Sequence, residues 1–195
     1  MTNNAFARFA GVCAILSGID GVLYGIAFII VGNQLLYSVL LMLAGLLTVV
    51  VLVALYDQLQ TVDSAWSMLA ILIGLFGSIG AVIHGGYDLA NAIHPPAALN
   101  ADLPSQIDPR GLVTFGLLGT GVLIFARLMR QTDRFPKNLA TLGYVLGALM
   151  IIIYLGRLII LDPTNIIVRI ALLSGVIANT VWFIWLGLSL RRQSM

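Results

Sequence analysis

In this chain of 195 residues, 60% are hydrophobic, 9% are charged, and the formal net charge is +2. A soluble domain carries about 25% charged residues, so this composition, with a mean hydropathy of +1.04, excludes that class and marks a polytopic membrane protein. The small excess of basic residues is scattered at segment ends, which leaves no footprint for a nucleic-acid partner.

The first apolar stretch runs over 9–31 behind Arg8. It is longer than the roughly 7–15 residues of a signal core and no small-x-small cleavage site follows, so the expectation is a first transmembrane helix. Cys13 lies inside it. A single cysteine permits no internal disulfide and matches no metal spacing, and a small packing residue is the expected role. Five further segments of spanning length follow, at 36–56, 66–91, 111–129, 139–161 and 166–188. Together they predict an all-α bundle of six transmembrane helices forming a single membrane domain over 1–195.

All six prolines (Pro95, Pro96, Pro104, Pro109, Pro136, Pro163) fall between these segments, where a missing N–H costs nothing. Asp63-Ser64 and Asp108-Pro109 read as caps that start helices 3 and 4. Asp162-Pro163-Thr164-Asn165 reads as a tight turn that makes helices 5 and 6 an antiparallel pair. The only long connection is the proline-rich, acidic segment 95–110, expected to cap or cover the outer face.

The basic residues fix an orientation. Arg8, Arg127, Arg130, Arg134, Lys137, Arg191 and Arg192 lie on the side of both termini, while Arg110 lies opposite, with Arg157 and Arg169 inside the helix ends there. The asymmetry predicts both termini in the cytoplasm and a multi-pass protein of the cell (plasma) membrane. Trp66, Trp182 and Trp185 fit an interfacial belt on the cytoplasmic side.

Small residues form ladders at Ser17, Gly21 and Gly25, at Gly77, Ala81 and Gly85, and at Gly143 and Gly147. Such ladders let helix backbones approach closely. They predict tight packing inside one bundle, with a homo-oligomer built on the same faces as the sharper reading. SGIDGVLYG (17–25), GSIGAVIHG (77–85) and GALMIIIYLG (147–156) can be overlaid. The overlay puts Tyr24, His84 and Tyr154 at one depth and suggests three helical hairpins.

Polar residues gather in the outer half. His84, Asp88 and Asn91 share a face of helix 3 at i, i+4 and i+7, with Tyr87 beside them. From helix rise, Asp88 lies about 9 Å and His84 about 15 Å below the outer surface, and Asp20 about 18 Å below it, near mid-membrane, one turn from Tyr24. Depth alone suggests two pairings, Asp20 with His84 and Asp88 with Arg157, either of which would offset the roughly 2.5–3.5 kcal/mol of placing a charge at a helix centre. The bland alternatives stand beside these. Arg157 and Arg169 could snorkel to headgroups, His94 could be merely interfacial, and the His84 stripe could be hydrogen-bonded glue between helices. A carboxyl in mid-membrane, Asp20, is the hardest of the group to dismiss. In the inner half the main polar group is Asn179.

The chain contains no glutamate, no Cys-x-x-Cys, no G-x-S-x-G elbow and no lysine in a helix core. That removes zincin chemistry, disulfide chemistry, a serine hydrolase elbow and a retinal Schiff base. No metal and no cofactor is expected. Tyr87-Asp88 and Gly18-Ile19-Asp20 are similar in part to the motifs of two-aspartate intramembrane proteases. The order is reversed and the Pro-Ala-Leu segment is missing, so that activity is not carried over.

The threading as a whole, with VALYDQL (53–59) ending helix 2 and HGGYDLAN (84–91) ending helix 3, resembles a group of small bacterial six-pass membrane proteins of unknown function. The resemblance implies the fold and supplies no site residues. The leading functional expectation is an outward-facing polar pocket for a small solute or lipid headgroup, for sensing or transport. Its wall would draw on Asp20, Tyr24, His84, Tyr87, Asp88, Asn91, Arg157 and Arg169. A structural or regulatory membrane partner is the second reading and an intramembrane hydrolase the third.

Overall fold

The structure, a computed structural model, describes residues 4–95, 109–159 and 165–192; for Asn4, 109–113, Arg157 and Leu158 the description is limited to the backbone. The described residues are all helical, with no strand: α1 (Asn4–Gly25, continued by a π-helical turn Ile26–Val31), α2 (Gln34–Leu59), α3 (Ser64–Ile93), α4 (Pro109–Arg130), α5 (Lys137–Ile159) and α6 (Ile166–Arg192). Polar ends such as NAFAR in α1 and SLRR in α6 carry the helices past their apolar cores. Five helices are long and apolar enough to cross a membrane: Ala5–Val31, Gln34–Leu59, Ser64–Ile93, Lys137–Gly156 and Ile166–Arg192. The described side chains of α4 begin only at Thr114.

Helix boundaries follow capping chemistry. The Asp63 carboxylate accepts from the Trp66 N–H at 3.1 Å and starts α3, as expected. Asn33 does the same for α2 through the Leu36 N–H at 3.0 Å. Between α1 and α2 the backbone reverses at Gly32, whose φ of 66° lies in the left-handed region that favours glycine. The expected cap at Asp108, most of the 95–110 connection, residues 162–164 of the α5–α6 turn, and the side chains of Arg110 and Arg157 lie outside what is described.

Each helix packs on its neighbours in sequence, and α6 packs back on α1, which closes a ring of six. The seams are set by glycine. At α1–α6 the backbone of Gly11 meets that of Gly187, a Cβ on Gly21 would stand 2.5 Å from the Asn179 amide, and Gly25 faces Val176. At α2–α3 a Cβ on Gly45 would lie 2.7 Å from the Ser78 carbonyl and one on Gly85 2.6 Å from the Ser38 carbonyl. Gly77 abuts Leu118 of α4, and Gly147 and Gly119 meet between α4 and α5. The ladders at 17–25, 77–85 and 143–147 are thus taken up inside one chain. Close α2–α3 packing spans the expected division between the first two hairpins, so a grouping into three hairpins is not expressed in the seams.

The bundle has two unlike ends. Its largest fully buried side chains are Trp182, Phe125, Phe135, Leu52, Leu55, Leu59, Leu128, Met129, Leu139, Leu146, Leu186 and Leu190. All of them fall in the half that carries residues 4 and 192, or in the α4–α5 turn beside it. Trp182, expected at the membrane interface, is instead 1% exposed, its indole edge-on to Phe183 at 4.9 Å. Gly143 makes the room: a Cβ there would lie 2.9 Å from the indole nitrogen. Trp66 does lie at the surface, with the Arg127 guanidinium 4.8 Å above its ring.

Candidate functional site

Above the dense end lies a half-open cavity of about 110 Å³ to whose wall every helix contributes. Its wall is mainly hydrocarbon, from residues such as Leu41, Leu118, Leu146, Met150, Leu172 and Phe183. The polar atoms in it are few: the side chains of Ser17, Tyr24, Thr48, Ser78, Thr114 and Asn179. Local chemistry explains why hydroxyls sit here at small cost. Ser78 donates to the Gly74 carbonyl one turn back, at 3.1 Å, which satisfies the hydroxyl within its own helix. Ser17 and Thr48 face each other across the α1–α2 seam at 3.4 Å, both buried.

The eight residues that the sequence nominated do not share this wall. Of those whose side chains are described, Tyr24 alone belongs to it; its ring stacks on Phe28 at 5.6 Å, and Phe28 meets Tyr37 edge-on at 5.2 Å. His84 and Asp88 meet within α3, Nε2 to Oδ2 at 3.2 Å. The i, i+4 spacing of a helix delivers that contact directly. Asn91 is half-buried one turn on, Tyr87 is exposed, and Arg169 is exposed near the start of α6. The side chain of Arg157 lies outside the description, and so does the expected Asp88–Arg157 contact.

The expected Asp20–His84 pair is not formed. Helices α1 and α3 are not neighbours in the ring, so similar depth does not bring the two side chains together. Asp20 is instead 3% exposed, and neither of its carboxylate oxygens meets a hydrogen-bond donor among the described residues. Its direction follows from the rest of α1. Gly11, Gly18, Gly21 and Gly25 face α6, while Ser17 faces α2. Asp20 lies three residues after Ser17 and four before Tyr24, the spacings that share a helix face. It therefore shares the α1 face of Ser17 and Tyr24 on the side toward α2, next to the chamber wall but not itself among the residues that line it.

Thr48, Ser78 and Thr114 were not found from sequence. A lone hydroxyl in an apolar helix has no spacing signature, and only its recurrence on successive helices could have singled it out. Asn179, read as an isolated polar group of the inner half, is part of the wall and touches α1 at Gly21. No group of three or more His, Cys, Asp or Glu side chains able to hold a metal occurs among the described residues. No family model matches the chain, and neither a curated protein nor a solved structure is similar to it.

Proposed function

We propose that this is a six-pass protein of the plasma membrane, both termini cytoplasmic, that holds a small and mainly apolar molecule in its central chamber in order to sense or carry it. The observation behind this reading is the chamber itself, walled by all six helices and floored by closely packed large side chains. Apolar cavities of about 150 Å³ stay dry and accept benzene, and a space of about 110 Å³ is of that order. The floor favours holding over conduction, because a transporter places its site between two accessible halves. The hydroxyls in the wall would orient an occupant, since a few fixed polar groups in an apolar pocket set ligand orientation. Among the described residues of the wall none pairs a nucleophile with a base, which favours the binding reading over hydrolysis.

The test is the thermal stability of the protein in lipid nanodiscs with and without toluene. Toluene should raise the melting temperature, because a ligand that binds only the folded state stabilises it. Ala81→Leu places extra hydrocarbon in the chamber and should abolish the rise while the protein stays folded. A wild-type melting temperature indifferent to toluene and to similar small hydrocarbons would overturn the reading.

A further inference from the structure

Asp20 poses a problem that the apolar chamber does not resolve. A carboxyl in mid-bundle, 3% exposed and without a donor on either oxygen, is an acceptor in search of a donor. Buried polar groups are nearly always hydrogen-bonded, and each exception asks for an explanation. The Ser17 and Thr48 hydroxyls lie on the same α1–α2 seam, 3.4 Å apart and buried at 2% and 4% exposure. Between them they have one weak contact and spare lone pairs. The seam thus collects several unfilled oxygen acceptors at the edge of a hydrocarbon chamber. The basic groups whose contacts are described are engaged elsewhere: His84 with Asp88, Arg127 over Trp66, Arg134 with the Gln58 carbonyl and Lys137 with Asp133.

We propose that the occupant of the chamber is a small apolar amine, whose ammonium group docks on Asp20 while Ser17 and Thr48 accept its remaining N–H bonds. This rests on the binding role proposed above and names the chemical class. The match is one of number and of sign. An ammonium brings three donors and no acceptor, and the seam has acceptors in excess: two carboxyl oxygens and two hydroxyl oxygens against two hydroxyl protons, one of which the Ser17–Thr48 contact takes up. A carboxylate and an ammonium enter as a neutral pair, which removes the isolated buried charge that either would be alone. The hydrocarbon part of the amine then lies against Leu41, Leu146 and Met150 of the wall.

The experiment compares benzylamine, benzyl alcohol and toluene as ligands of the full chain in nanodiscs, by titration of tryptophan fluorescence, in wild type and in Asp20→Asn. Benzylamine should bind wild type at least tenfold more tightly than either neutral probe. Asp20→Asn removes the charge-assisted hydrogen bonds to the ammonium and should weaken benzylamine by on the order of a hundredfold. Toluene should change little, and Ser17→Ala should weaken the amine by a smaller factor. Equal binding of all three probes to wild type would overturn the amine while leaving the chamber as a binding site. Toluene bound by neither protein would mean that the chamber reading itself had failed. Titration with sodium chloride against choline chloride adds a further arm. Stabilisation by sodium alone, lost in Asp20→Asn, would assign the seam to a bare metal cation and overturn the amine.

Discussion

Asp20 and Asp88 are the same residue type in the same half of the bundle, yet their surroundings predict opposite mutational behaviour. Asp88 is bonded to His84 at 3.2 Å, with side-chain exposures of 16% and 11% for the pair. Removing its charge should lower stability by about 1–2 kcal/mol, since a part-buried partner is left behind. Asp20 has no bond to lose. Asp20→Asn should leave the melting temperature within the shift that about 1 kcal/mol produces, and it can even rise, as is common where a residue is kept for function at a cost in stability. Parallel thermal melts of the two variants check this, and equal losses at both sites would mean that Asp20 has a structural partner. The contrast also shows what a sequence can carry at this scale. That His84 and Asp88 share a face was legible because it is a property of one helix; that they meet each other was not drawn from it, since each was paired with a residue of another helix. The Asp20–His84 contact required two helices to be neighbours, and depth along the bilayer normal says nothing about position around the ring.

At the scale of elements, adjacent glycines in α3 separate packing from propensity. A Cβ on Gly85 would come 2.6 Å from the Ser38 carbonyl and 2.7 Å from the Met42 side chain, whereas one on Gly86 would meet only the Met42 sulfur at 3.9 Å. Gly85→Ala should therefore force α2 and α3 apart, with a loss of about 1–3 kcal/mol typical of overpacking. Gly86→Ala should be neutral or stabilising, by up to about 1 kcal/mol, because glycine is the weaker helix former. Chemical or thermal unfolding of the two single variants reads the difference, and equal effects would show that the seam can yield. Helix ends were legible because Asp63 and the prolines act locally on a few backbone groups. The position of Trp182 was not. Its burial depends on a slot at Gly143 in another helix, and a tryptophan near a helix end looks the same from sequence whether it faces headgroups or core.

For the whole molecule, membrane character and the number of helices could be read from composition and proline placement. Ring order could not, because outward-facing residues such as Ile30, Phe76 and Ile177 are as apolar as those that pack inside, so hydropathy does not say which face turns inward. The proposed orientation is checked with two cysteines in a Cys13→Ala background. An impermeant thiol reagent added to intact cells should label His94→Cys, at the end of α3, and not Gln131→Cys, after α4. The reverse pattern would place the chamber in the cytoplasmic half of the membrane.

The α1–α6 seam joins the two helices farthest apart in sequence, and its glycines have no use until both are present. Five helices without the sixth form an open arc, and an open arc encloses no chamber. The contact of highest order must be made after its long loop is closed, which is the slow kind of step in folding. The chamber should then form in a single late event, when α6 docks on α1, and a nascent chain of five helices would hold the wall residues of α1 to α5 while lacking any space for them to surround.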